Sequence, residues 1–126
     1  MIAAARFGTR DLVRATAFYD AIGGLLGVVR TMERPEMVAY KGAEGSMLVI
    51  GTPFSGDADA GNGNQVVVNA SSRAIVDTVH AKALEMGGSD EGAPGIRGDD
   101  PNGFYGAYFR DPDGNKMCVC RFGPPD

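Results

Sequence analysis

Asn102-Gly-Phe-Tyr-Gly-Ala-Tyr108-Phe-Arg-Asp111-Pro-Asp-Gly114-Asn-Lys-Met-Cys118-Val-Cys120 is the stretch whose reading decides the fold. Asp111-Pro112-Asp113-Gly114 puts Asp at i, Pro at i+1 and Gly at i+3, the residues a type I turn takes. Tyr108-Phe109 before the turn and Met117-Cys118-Val119 after it are apolar runs, so the stretch reads as a β-hairpin. Alternation then sorts the side chains of its second strand. Lys116, Cys118 and Cys120 share one face, and Met117 and Val119 share the other.

Working outward, the chain repeats one order of elements. Ile2 to Gly8 is an apolar run of strand length, and Asp11 follows as an N-cap whose carboxylate can accept a first-turn N–H. Leu12, Ala15, Phe18, Tyr19 and Ile22 fall at helical spacing, with Gly23-Gly24 predicted to end or loosen that helix. Val28 to Arg34, Glu36 to Lys41 and Met47 to Gly51 read as strands.

The second half begins with the β-branched run Gln65 to Ala70 and a helix capped by Ser71-Ser72. That helix carries Ile75, Val76, Val79, Ala83 and Met86 and stops at Gly87-Gly88. A weak strand, Ser89 to Arg97, precedes the closing hairpin. Each half is therefore β-α-β-β-β, an α+β arrangement, and Tyr40 to Ile50 aligns loosely with Tyr108 to Val119. The expected division is one domain of two modules, about 1–54 and 63–126, joined through a Gly- and Asp-rich linker at 55–62. Neither half would bury much surface alone, so the two are expected to share one core. The plainer alternative is a generic α+β sheet with two helices.

The 126 residues suit a single domain, which buries about two thirds of the surface its unfolded chain exposes. A net charge of −4 with no basic stripe argues against nucleic acid or anionic membrane as partner. No apolar run of about 18 residues is present to span a bilayer. Arg6 directly after Met1-Ile-Ala-Ala-Ala5 argues against a secretory signal. Cys118 and Cys120 lie two apart in one strand, a spacing unsuited to a disulfide. Free thiols predict a reducing, cytoplasmic location.

Gly8-Thr9-Arg10-Asp11-Leu12, Arg14-Ala15-Thr16-Ala17-Phe18-Tyr19-Asp20, Gly61-Asn62-Gly63 and Asp111-Pro-Asp-Gly-Asn115 together resemble the glyoxalase / bleomycin-resistance / extradiol-dioxygenase superfamily, the vicinal oxygen chelate fold. The resemblance covers nearly the whole chain. It implies two βαβββ modules whose strands curl into an open mixed-sheet barrel with helices outside, and a homodimer. It also implies metal ligands on the first and last strand of each module. Those positions fall on Ala4, Val49 (to within one residue), Gln65 and Cys118, where many members carry His or Glu. An extradiol iron site needs two His and a carboxylate; the chain has one histidine, which excludes that site by count. No metal or other cofactor is expected.

Carried onto this chain, the resemblance faces Arg6, Gln65, Asn69, Phe104, Tyr108, Lys116, Cys118 and Cys120 into a pocket, a mixture of apolar wall and few polar groups that suits a small molecule. Each has a plainer reading. Arg6 and Lys116 near strand ends can be solvated, and Cys118 can be an inert buried hydrophobe. As catalytic candidates, Cys118 would be a thiolate activated by Lys116 or Arg6, and Tyr108 a donor to a substrate oxygen. Gln65, if buried, needs a partner for its amide. His80 in mid-helix reads as structural, and Asp99-Asp100 as a solvated loop. Two functions follow: a metal-independent binder of a small polar or aromatic molecule, or a lyase or isomerase, metal-free or with an unusual metal site, acting on a small oxygenated substrate.

Overall fold

Asp11 ends a short strand and starts a helix, and the rest of the architecture is organised by repeats of that event. In the computed structural model, which describes residues 1–126, β1 (Ala4–Gly8) leads into α1 (Leu12–Leu26). The Asp11 side chain accepts from the Arg14 N–H at 3.1 Å, as an N-cap should. β2 (Val29–Arg34), β3 (Met37–Lys41) and β4 (Met47–Gly51) complete the first module. The second runs β5 (Val66–Asn69), α2 (Arg73–Glu85), β6 (Ser89–Ile96), β7 (Phe104–Arg110) and β8 (Lys116–Phe122). There Ser72 is the cap, accepting from Ile75 N–H at 3.1 Å.

Two four-stranded mixed sheets result, ordered β1-β4-β3-β2 and β5-β8-β7-β6. In each, the pair at one edge is parallel and the remaining pairs are antiparallel. The fold is α+β with two βαβββ modules, and neither sheet closes into a barrel.

Three sequence expectations need correction. The first helix runs through Gly23-Gly24 and ends only at Gly27, whose φ of 75° lies in the left-handed region. Val28 N–H returns to the Gly23 carbonyl at 2.9 Å, so the chain turn, not the glycine pair, terminates the helix. The segment from Ser89 is a full strand of eight residues, interrupted by register shifts around Gly92 and Gly95. Pro94 has no N–H to give, and an edge strand is where a sheet tolerates that. Finally, Val49 pairs with Ala39 as Cys118 pairs with Tyr108, so Tyr40 matches Phe109, one residue away from the loose alignment.

One core is drawn from both modules. Phe7, Phe18, Ile22, Val38, Tyr40 and Ile50 from the first meet Val76, Val79, Ala107, Phe109, Met117 and Val119 from the second in a single buried cluster. The Phe18 and Phe109 rings lie 6.2 Å apart across that junction. Each sheet therefore turns one face to the core, and its other face carries the alternate residues: Ala39 and Val49 on the first sheet, Tyr108, Cys118 and Cys120 on the second.

The hairpin turn binds the modules to each other. Buried Asp111 accepts from the Tyr19 hydroxyl at 2.6 Å and from the Asn115 backbone and side-chain amides, both at 2.9 Å. Asp113 accepts from the Thr9 hydroxyl at 2.5 Å, Arg10 N–H at 3.0 Å and Arg14 Nη2 at 2.8 Å. Asn115 Nδ2 donates to the Gly8 carbonyl at 2.9 Å. Sheet register puts Gly42, Glu44 and Ser46 of the β3–β4 turn at the equivalent places in the first module. No such latch forms there. A cleft of about 740 Å³ opens instead, lined by Leu26, Val28, Ala43, Met47 and Val68 among others.

Candidate functional site

The candidate site is built on the second sheet's face away from the core. Tyr108 on β7 stands directly across from Cys118 on β8, and Gly106 across from Cys120. Val67 and Asn69 of β5 flank the two cysteines on the other side. Alternation thus delivers Lys116, Cys118, Cys120, Tyr108 and Phe104 to one surface, as the hairpin pattern requires.

Two cations flank the tyrosine. Arg97 Cζ lies 5.4 Å from the Tyr108 ring centroid and Lys116 Nζ lies 5.6 Å from it, distances at which a ring face attracts positive charge. Arg97 is fixed by donating to the Gly95 and Ala93 carbonyls at 3.0 and 2.7 Å. The irregular, glycine-containing edge strand makes this possible: a β-carbon on Gly92 or Gly95 would come within 3.2 Å of the guanidinium. Phe104 folds over Gly106 and meets Phe122 edge-on at 5.9 Å.

Cys118 has no exposed surface, yet it stands outside the core cluster, walled in by its sheet neighbours. Burial pushes its thiol above the ordinary value, the neighbouring Cys120 adds to this, and Tyr108, Arg97 and Lys116 offset only part of the rise. Burial likewise raises the Tyr108 hydroxyl, with Cys118 contributing. Both groups are thus neutral at pH 7. The expectation of a charge-activated thiolate is not met, because desolvation outweighs the nearby cations and Arg6 is not among them.

The remaining candidates lie apart within one chain. Arg6 sits on β1 of the first sheet, donates to the Thr52 carbonyl at 3.0 Å and is exposed. With Gln65, Asp59, Asn64 and Asn115 it lines a polar cavity of about 290 Å³ at the seam between modules. Gln65 is exposed rather than a buried amide, and with Asn69 it also borders the 740 Å³ cleft. That cleft is the larger cavity, but it opens on the core side of the sheets and none of Tyr108, Lys116 and Cys118 lines it. His80 is structural: buried, its Nε2 is 2.9 Å from Asp90 Oδ1 and its ring lies against Phe109. Asp100 caps its own loop through the Asn102 N–H at 2.8 Å and stays exposed. Sequence reasoning missed Arg97, because only the bulged strand brings it back over Tyr108. The Gly92-Ala-Pro-Gly95 run was the available signal.

The solved structure most informative about family membership is that of a glyoxalase/bleomycin resistance protein from Albidiferax ferrireducens T118. It is 34% identical, with 95% of this chain and 97% of that one covered at a TM-score of 0.85. This chain belongs to the glyoxalase/bleomycin resistance protein family. A glyoxalase-related enzyme from Fulvimarina pelagi (19% identity, 95% and 86% covered, TM-score 0.74) has the same fold. So does a lactoylglutathione lyase from Agrobacterium tumefaciens (24% identity, 95% and 92% covered, TM-score 0.64). No family model matches the sequence, and no curated protein is a significant match.

The four positions at which the family resemblance implies metal ligands are Ala4, Val49, Gln65 and Cys118. Val49 faces out beside Arg6, as Cys118 does beside Val67, and Ala4 and Gln65 stand two residues before those partners. Ala4 and Val49 have no donor atom, Gln65 is a weak neutral ligand, and the Cys118 thiol is held protonated. No group of three or more His, Cys, Asp or Glu side chains is placed to hold an ion.

Proposed function

We propose that this family member binds a small polar or aromatic molecule without a metal ion, on the Tyr108 face of the second sheet. The observation that carries this reading is the composition of that face. Aromatic rings, the held Arg97, the Lys116 ammonium and the neutral Tyr108 hydroxyl surround a position, Cys118, where a metal-binding relative would need a carboxylate or imidazole. A neutral Tyr108 hydroxyl suits donation to a ligand oxygen, and a buried, protonated Cys118 thiol is unsuited to nucleophilic attack.

In a single chain this face is open to solvent: Val67 is 51% and Phe122 69% exposed. The outward face of the first sheet is equally bare, with Val29 65% and Met32 42% exposed. A homodimer in which the first sheet of one copy covers the second sheet of the other would enclose the ligand and bury both patches.

The test has three parts. Elemental mass spectrometry on protein purified without chelators is expected to find far less than one equivalent of any metal. Analytical ultracentrifugation is expected to give a dimer. A thermal-shift panel of small polar and aromatic compounds is expected to return ligands that raise Tm while remaining chemically unchanged on incubation. Conversion of a bound compound to product would replace this reading with that of a lyase or isomerase, and a stoichiometric metal would overturn the metal-free assignment.

A further inference from the structure

The charges on the Tyr108 face have no counter-charge. The molecule's ion pairs engage Arg10, Arg14, Arg30, His80, Lys82, Arg110 and Arg121, but neither Arg97 nor Lys116. This is not for want of carboxylates, since the chain has 16 acidic residues against 12 basic. The neighbours on the face are the uncharged Asn69, Val67, Phe104, Cys118, Cys120 and Phe122, with Arg110 directly across from Lys116 as a third cation. Glu91, the carboxylate on the adjoining strand, is taken up by Arg110. Two cations approach one tyrosine from the strands on either side of it, and nothing in the chain neutralises them.

Arg97 is also pre-set. Its two carbonyl contacts occupy one hydrogen of each terminal nitrogen, with Cζ 5.4 Å from the Tyr108 ring centroid, which leaves donors of the fork unused. A held guanidinium with spare donors is a carboxylate receptor, because little side-chain freedom remains to be lost on binding. Lys116 supplies a second, movable point charge. The rings of Tyr108, Phe104 and Phe122 offer an apolar bed for whatever carries the carboxylate.

We propose that the ligand is an anion, a small aromatic carboxylate whose charged end is held between Arg97 and Lys116 while its ring lies against the aromatic side chains. This rests on the reading of the Tyr108 face as a binding site and narrows it to a substrate class.

Benzoate and benzamide test it, because they share size and ring but differ in charge. Calorimetry at low salt is expected to give tighter binding for benzoate, weakening as ionic strength rises. Arg97→Gln and Lys116→Gln are each expected to weaken benzoate about tenfold, the effect of losing one hydrogen bond to a charged partner. Lys116→Arg, which keeps the charge, is expected to retain most of the affinity. Both positions are partly exposed, so melting temperatures near that of the parent would show the variants folded. Equal binding of benzamide and benzoate, with no salt dependence, would overturn the anion and leave the binding face intact. The same holds if benzoate fails to bind while uncharged compounds in the thermal-shift panel succeed. Failure of every compound in both experiments would remove the binding reading itself.

Discussion

Asp111 and Asp113 show how much one turn can be asked to do. Their sequence signature is that of a β-turn, and the turn forms, but Asp111 binds both the turn's own N–H groups and Tyr19, while Asp113 reaches into the first module. Asp111→Ala would leave the buried Tyr19 hydroxyl and the Asn115 backbone N–H without their acceptor, and the Asn115 side-chain amide with Gly8 alone. An unsatisfied buried group costs about 1–3 kcal/mol, and several are orphaned at once, so a loss of about 3 kcal/mol or more is expected. It should appear as a lower urea midpoint at unchanged slope.

Asp113 gives a pH signature. Burial alone would raise its carboxyl. Thr9, the Arg10 N–H and Arg14 more than reverse that and hold it below the usual carboxylate range. A depressed folded-state value means the unfolded chain takes up the proton first. The contribution is complete above the ordinary Asp value of about 3.9 and is lost as pH falls through the folded-state value. The stability gap between the parent and Asp113→Asn is therefore expected to be constant near neutrality and to shrink below about pH 4. A gap that widens on acidification would contradict the latch as described. Cys118 makes the opposite prediction about charge. With its thiol raised, alkylation by iodoacetamide at pH 7 should be slow in the native protein and complete after denaturation. Rapid native labelling with an inflection below pH 8 would reinstate the thiolate.

At the level of elements, what periodicity could supply was supplied. Asp11 was readable as a cap because only an Asp, Asn, Ser or Thr at that place satisfies a first-turn N–H. Asp11→Ala is accordingly expected to cost about 1 kcal/mol by chemical denaturation. The strands of the closing hairpin and the facing of Cys118 were readable because a period of two admits one solution once a single residue is placed. The end of α1 was not readable. Gly23-Gly24 looks like a stop, yet tertiary packing of the buried Gly23 carries the helix on by a further turn to Gly27. The strand at Ser89–Ile96 was under-read for a related reason: Pro94 and its glycines argue against a ladder, and only pairing with β7 establishes one. The site divides in the same way. Tyr108, Lys116 and Cys118 follow from alternation, whereas Arg97 depends on a bulge and the separation of Arg6 from them depends on how two sheets are set apart.

For the whole molecule, the single core and the latch carry one expectation. Neither fragment of a chain cut at Asp59 should fold alone, because Phe18 would lose Phe109 and Tyr19 would lose Asp111. Circular dichroism of the isolated pieces should lack a cooperative melt, and mixing them should restore one. A fragment that melts cooperatively by itself would show that the core is two cores.

The asymmetry between the two hairpin turns reaches further than stability. The missing latch is missing on both sides. Where Asp111, Asp113 and Asn115 would recur stand Gly42, Glu44 and Ser46, and where Thr9, Arg10, Arg14 and Tyr19 would recur stand Ala70, Ser71, Ile75 and His80. The two modules are consequently bound like a book along one edge, with a spine of short charge-assisted bonds at Thr9 and Asp113 and a free fore-edge at the cleft. Thermal motion in such a body is not shared evenly. It is expected to gather at the fore-edge, so that amide hydrogen exchange runs faster in the Gly42–Ser46 turn than in the Asp111–Asn115 turn.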